Sequence, residues 1–299
     1  MNTPGTLVII GGPTASGKTA VAVELAKRYR TDVISADSRQ FYHAMRIGTA
    51  RPTTEELQDV PHHFLGHLDL TDAWSAGDFA RAAEEVLQRL LRDHGMAILV
   101  GGSGLYIDAL IKGLDTMPTS DAMVRERLQA RIHHGGIATL LDELKERDPT
   151  TWARIDHNNP HRILRALEVC MVTGAPYSAL RSAPKDRTDI RLVKIAMHVP
   201  RPLLYERINA RVDRMCELGL VDEVRNLIPY RHLNALRTVG YTELFRHFDG
   251  ELSLDDAIAM IKQHSRNYAK RQVTWLRREA DQHWVAPGDS EQMHELIRG

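Results

Sequence analysis

Leu7-Val8-Ile9-Ile10, followed by Gly12-Pro13-Thr14-Ala15-Ser16-Gly17-Lys18-Thr19 and a helix-like run to Tyr29, is the stretch that decides the fold of this chain. The apolar run reads as a strand. The octet has the spacing G-x-x-x-x-G-K-[ST] in the strand–loop–helix context that a phosphate-binding loop requires. Its glycines let the backbone wrap a phosphate chain, so that several N–H donors point inward at a helix N-terminus. Lys18 adds a mobile positive charge, and the Thr19 hydroxyl is placed to ligate a magnesium ion (Mg2+). The loop therefore grips a di- or triphosphate. Whether phosphate is transferred or expelled stays open at this point.

Outward from the loop, strand and helix signals alternate. Residues 7–10, 32–36 and 96–100 read as strands, and residues 18–29, 79–92 and 105–111 as helices. That alternation predicts an α/β fold, a P-loop NTPase-like parallel sheet flanked by helices, with ligands at the carboxyl ends of the strands. Three loops of chemical interest follow strand ends and are expected to converge on one crevice. From about residue 116 the pattern turns helical, over 121–134, 137–147 and 160–172, and no strand interrupts it until 190–199. Residues 116–189 thus read as an all-helical insertion domain within a body formed by residues 1–115 and 190–299. The rest of the body is mostly helical, over 201–218, 222–227, 241–248 and 254–278.

Composition excludes several classes. The 299 residues are 43% hydrophobic and 26% charged, which is ordinary for a globular chain that can bury a full core. The first residues, Met1 to Gly5, carry no basic segment, so no signal peptide is expected. No apolar run approaches the roughly 20 residues of a membrane helix. Cys170 and Cys216 stand far apart, which argues against a disulfide scaffold or a cysteine-based zinc site and for a cytoplasmic location. Thirty-nine basic residues balance thirty-nine acidic ones, yet from Lys262 to Arg278 six cations (Lys262, Arg266, Lys270, Arg271, Arg277 and Arg278) occur with no Asp or Glu. Tyr268 and Trp275 interleave with them. Such a stripe suits phosphate contacts and base stacking, and equally a solvated helix face whose aromatics turn to the core.

Asp37-Ser38-Arg39-Gln40 comes directly after the second strand. A carboxylate there would face the phosphate loop, where it could ligate magnesium or accept a proton from a nucleophile; the plainer alternative is an Asp capping the next turn. Gly101-Gly102-Ser103-Gly104-Leu105-Tyr106 ends the third strand with room for a ligand and a hydroxyl at a helix start. The strand before it ends without an acidic residue, and no Asn-Lys-x-Asp motif occurs, which lowers the case for a phosphate-loop hydrolase. Fifteen histidines include no pair with metal-ligand spacing: His62-His63 follows Pro61 in an expected loop, and Asn158-Asn159-Pro160 separates His157 from His161.

These stretches form an ordered set with Ile47-Gly48-Thr49-Ala50-Arg51-Pro52, Pro61-His62-His63, Ser75-Ala76-Gly77-Asp78-Phe79, Arg162-Ile163-Leu164-Arg165-Ala166-Leu167-Glu168-Val169, Val239-Gly240-Tyr241 and Lys270-Arg271-Gln272-Val273-Thr274-Trp275-Leu276-Arg277. In this order they closely resemble the bacterial tRNA dimethylallyltransferases, the tRNA isopentenyltransferase (IPP transferase) family, from the first strand to about Trp284.

The resemblance implies a reaction that the motifs alone leave open. A five-carbon prenyl group would move from dimethylallyl diphosphate to N6 of adenine 37 in the tRNA anticodon loop, releasing diphosphate. It implies that Gly12 to Thr19 hold the diphosphate or a nucleotide, that Thr19 lies near magnesium, and that Asp37 is the general base. Ser103 stands where the family usually has Thr, and Arg211 matches the arginine that neutralises the diphosphate as the bond breaks. Ser38, Arg39 and Gln40 would flank the extruded base. Arg125, His161, Arg162, Ile163, Leu164 and Arg165 would meet the anticodon stem-loop from the insertion. Arg237, Thr238, Val239, Gly240, Tyr241 and Thr242, with Lys270, Arg271, Trp275 and Arg277, would meet it from the body. A monomer with no membrane contact is expected. The competing readings are an adenylate isopentenyltransferase acting on free nucleotides, an ATP-dependent phosphotransferase, and a non-catalytic RNA-binding module.

Overall fold

The computed structural model describes residues 5–115, 117–181 and 187–299. Six parallel strands form one sheet: β1 (Thr6–Gly11), β2 (Val33–Ala36), β3 (His62–His63), β4 (Met96–Gly101), β5 (Arg191–Met197) and β6 (His283–Val285). Their order is β3-β2-β4-β1-β5-β6, so β1 lies at the centre. The helices are α1 (Lys18–Tyr29), α2 (Thr54–Leu57), α3 (Ala76–His94), α4 (Gly104–Lys112), α5 (Ala122–Gly135), α6 (Ala138–Arg147), α7 (Pro149–Arg154), α8 (Pro160–Thr173), α9 (Arg201–Glu217), α10 (Leu220–Asn226), α11 (Tyr241–Phe248), α12 (Leu254–Leu276) and α13 (Ser290–Arg298).

The period of two along a strand explains why the central strands are apolar without a break. Leu7 and Ile9 of β1 and Ala97 and Leu99 of β4 face a core shared with Phe79, Ala83 and Leu87 of α3 and Ile107 and Leu110 of α4. Val8, Ile10, Ile98 and Val100 face the other way, onto Val21, Ala22 and Leu25 of α1 and Met293 and Ile297 of α13. The start of α3 is set locally. Ser75 Oγ accepts from the Asp78 N–H while the Asp78 carboxylate accepts from the Ser75 N–H, a reciprocal cap.

Two compact units result, one spanning Met1–Lys112 with Asp186–Gly299 and the other Gly113–Lys185. The second unit packs α5, α6, α7 and α8 around Leu128, Leu140, Leu144, Ile163, Leu164 and Leu167. Ile163 and Leu164, expected among the RNA-facing residues, are therefore corrected to core: their helix turns them away from solvent. Beside them Glu168 is fully buried, accepting from Ser120 Oγ, the Asp121 N–H, Arg165 Nη1 at 3.0 Å and Arg125 Nη2 at 3.3 Å. Arg125 and Arg165 thus brace a buried carboxylate. Arg162 and His161 are exposed, with no side-chain partner among the described residues.

Several elements differ from the sequence reading, among them α2 and α13, which it did not include. His62 and His63 form an edge strand against Val33 and Ile34 instead of a loop. β6, three residues long, pairs with β5. The six-residue α7 starts at Pro149 with Asp148 as its cap. Among the described residues no helix is long and apolar enough to cross a membrane.

Candidate active site

Parallel register brings the loops together. Gly11 of β1 is level with Gly101 of β4, and Gly101 is level with Ala36 of β2, so the loops after all three strands begin at one height. Between them lies a cavity of about 920 Å³ lined by Thr14–Thr19, Asp37–Gln40, Arg211 and, from α12, Tyr268, Arg271 and Gln272.

Gly17 has φ +88°, a conformation open to glycine and costly for other residues, and it caps α1 so that the first-turn N–H groups face the cavity. Lys18 Nζ donates to the Pro13 carbonyl at 2.8 Å. Burial brings the Lys18 ammonium down to about 8; the Asp37 charge opposes this and the Arg211 charge adds to it. Arg211 reaches over from α9, donating from Nη1 to Thr14 Oγ1 at 3.0 Å and from Nη2 to the Ala50 carbonyl at 3.2 Å. Burial lowers its pKa as well, with Asp37 again the main opposing charge. Asp37 is thus the anion that both cations of the loop face. Ser16 Oγ is fully buried and has no hydrogen-bond partner among the described residues, an orphan in the loop floor.

The residues after Asp37 are tied down rather than free. Its Oδ1 accepts from the Arg39 N–H at 3.2 Å. Arg39 Nη1 donates to the carbonyls of Asn234 and Ala235, just before Arg237, and Gln40 Nε2 donates to those of Thr49 and Ala50. Ser103 lies one layer back: its Oγ accepts from the Ser38 N–H at 3.1 Å and donates to Ser38 Oγ at 3.2 Å. Arg237, Thr238, Val239, Gly240 and Thr242 line the cavity. Tyr241 does not. It is fully buried, its hydroxyl donating to Glu223, so its expected RNA contact is corrected to a core position.

The basic stripe on α12 divides between faces. Tyr268 and Arg271 reach the main cavity, where burial and the Asp37 charge push the Tyr268 phenol well up. Lys270 and Arg277 lie instead at a second cavity of about 780 Å³, with Pro13, Tyr205 and Trp284. Lys262 pairs with Asp213, and Arg266 with Asn209. Trp275, partly buried, packs against α4 and donates from Nε1 to Asp108 at 3.1 Å.

Two supporting residues escaped the sequence reading. Glu223 accepts from the N–H groups of Arg46, Ile47 and Gly48 and so fixes the loop whose carbonyls hold Gln40 and Arg211. Gln272 bridges the phosphate loop and the loop after β4. Its signal is a polar residue in the buried stripe Ile261, Ala269, Leu276 of α12.

Central-strand phosphate loop, parallel sheet and facing carboxylate define a phosphate-loop α/β protein. Residues 40–279 match the family model described as IPP transferase, and the chain belongs to that family. It is 43% identical to a tRNA dimethylallyltransferase of Bacteroides thetaiotaomicron over 98% of this chain and 95% of that protein. Its structure is similar to that of a tRNA isopentenylpyrophosphate transferase from Bacillus halodurans, with TM-score 0.72 and 37% identity over 99% of this chain and 96% of that one. A eukaryotic dimethylallyltransferase acting on tRNA shares the fold at TM-score 0.80 and 22% identity, covering 98% of this chain and 77% of that one.

Proposed function

We propose that this protein transfers the dimethylallyl group of dimethylallyl diphosphate to N6 of adenine 37 in the tRNA anticodon loop. The N6 lone pair forms the new C–N bond, the allylic C–O bond breaks with diphosphate as leaving group, and the N6 proton passes to the Asp37 carboxylate. One observation carries this reading within the family: Asp37 confronts Lys18 and Arg211 across a single cavity. A base faces an anion grip, with space between them for an acceptor.

Residues 14–19 hold the diphosphate, and Lys18 and Arg211 neutralise it as it departs. An exocyclic adenine amine is a weak nucleophile, so orientation and the nearby carboxylate supply the rate. Magnesium fits the site, because the Thr19 hydroxyl is a hard oxygen ligand on the loop that would hold the phosphate oxygens. Among the described residues no cluster of His, Cys, Asp or Glu could hold a metal by itself, which suits an ion shared with phosphate oxygens. Bound there, it would neutralise diphosphate charge. Ser38 and the hydroxyl of Ser103 shape the adenine pocket, Arg237–Thr242 and Arg271 meet the RNA at the cavity mouth, and Arg162 and His161 meet it from the helical unit. The protein acts as a cytoplasmic monomer.

Purified protein, dimethylallyl diphosphate, magnesium and unmodified tRNA, read by nucleoside mass spectrometry, should yield N6-dimethylallyladenosine at position 37. Phosphoryl transfer from labelled ATP without prenylation, or prenylation of free adenylate in preference to tRNA, would overturn the reading.

A further inference from the structure

Gln272 of α12 is almost fully buried, at 6% exposure, and both ends of its amide are engaged by backbone. Oε1 accepts from the Thr14 N–H at 2.8 Å, and Nε2 donates to the Gly102 carbonyl at 3.1 Å. Thr14 and Gly102 follow neighbouring strands that end level with each other, Gly11 opposite Gly101. A donor on one loop and an acceptor on the next, both turned toward one helix, call for a side chain with both functions in one planar group. An amide supplies that; an ionised carboxylate accepts and cannot donate. Gly102 is the counterpart of this bridge, since a Cβ there would lie 2.0 Å from Gln272 Nε2.

We propose that Gln272 is a positioning residue for the transfer reaction: it clamps the phosphate loop to the loop after β4, and so sets where the diphosphate lies. This rests on the prenyl-transfer reading above. Thr14 is held at two points, its N–H by Gln272 and its Oγ1 by Arg211. The clamp also links two ends of the site. Arg271 and Tyr268, which line the main cavity, share with Gln272 the last turns of α12.

The test is the affinity for inorganic diphosphate, by titration calorimetry, of wild type, Gln272→Met and Gln272→Glu. Gln272→Met keeps the volume and leaves a buried donor and acceptor unpaired; it should weaken diphosphate binding about tenfold while anticodon stem-loop affinity stays within about twofold. In Gln272→Glu the ionised carboxylate meets the Gly102 carbonyl with no proton between them. Its affinity relative to wild type should recover as pH falls and the carboxyl regains an O–H to donate. Gln272→Met binding diphosphate like wild type, or a Gln272→Glu to wild-type ratio that is flat with pH, overturns the clamp. If Gln272→Met does not fold, the pH arm decides alone. A wild type that ignores diphosphate would instead overturn the prenyl-transfer reading, and the clamp with it.

Discussion

Lys18 makes the site sensitive to pH in a direction the structure fixes. Burial brings its ammonium from an ordinary 10.5 down to about 8, a penalty against the charged form of about 3 kcal/mol. Bound diphosphate supplies the counter-charge that removes this penalty and returns Lys18 to the protonated state. Below pH 8 the lysine is already charged and affinity is steady. Above it, binding must take up a proton, so diphosphate affinity should fall about tenfold per pH unit between roughly pH 8.5 and 9.5. Calorimetry at pH 9 in buffers of different ionisation enthalpy should register uptake approaching one proton per diphosphate. Lys18→Met supplies the baseline, because the ligand's own ionisation is common to both proteins and cancels in their ratio. The neighbours set the sign of two further shifts. Arg211→Gln removes a cation that depresses Lys18 and should move the inflection up, whereas Asp37→Asn removes the anion that supports it and should move it down. A wild-type to Lys18→Met affinity ratio that stays constant from pH 7 to 9.5 would show that Lys18 takes up no proton on binding.

Other consequences are as open to measurement. Asp37→Asn should lower the single-turnover rate of prenyl transfer about 10²- to 10⁴-fold with tRNA affinity unchanged, since the amide accepts no proton from N6. Glu168→Ala should destabilise the helical unit by roughly 1–3 kcal/mol, seen as a lower thermal midpoint, because Ser120, Arg165 and Arg125 lose their buried acceptor. Burial alone would raise the Glu168 carboxyl, but the Ser120 and Arg165 hydrogen bonds and both arginine charges outweigh it and hold it below its ordinary value. Its contribution is therefore present above about pH 4.5 and should fade as pH falls through the lowered native value, so acid unfolding of Glu168→Gln should be less steep. Arg162→Ala should leave the thermal midpoint in place, weaken anticodon stem-loop binding, and reduce the salt slope of that binding by about one counterion.

The fold was legible where one physical signal dominated. β1 and β4 lie inside the sheet with both faces covered, so their sequences had to be apolar throughout, and α3 was read from its apolar face, although the Ser75–Asp78 cap starts it at Ala76, three residues before the expected 79. The two-residue β3 and three-residue β6 have too few positions for any periodicity, and they exist because a neighbouring strand offers a ladder. The convergence of three loops was legible for a related reason: in a parallel sheet the carboxyl ends share a side. The face each α12 residue takes was not. Lys270, Arg271 and Trp275 are near neighbours in sequence, yet they point to a second cavity, the main cavity and α4 respectively. Charge and aromaticity alone cannot separate these, because a helix turns about 100° per residue and the packing of its partners settles the rest. Glu223 reads in sequence as an acid in the first turn of a short helix. Only the folded chain shows three backbone N–H groups from residues 46–48 meeting its carboxylate.

Strand order further argues for group transfer to an acceptor over simple hydrolysis. Asp37 follows β2 and the phosphate loop follows β1, with β4 between them. Asp37 and the phosphate loop therefore follow strands that are not neighbours, with the width of β4 between them for an acceptor to enter. The strand next to the loop, where a hydrolase would place its acid, ends in Val100, Gly101 and Gly102, and the Gly102 carbonyl is already taken by Gln272. Lys18 and Arg211 are anchored on the Pro13 carbonyl and on Thr14 Oγ1, within the loop proposed to hold the diphosphate. Donors fixed in advance favour the departing diphosphate over the intact ester, which is the condition for accelerating this bond cleavage rather than merely binding its reactant.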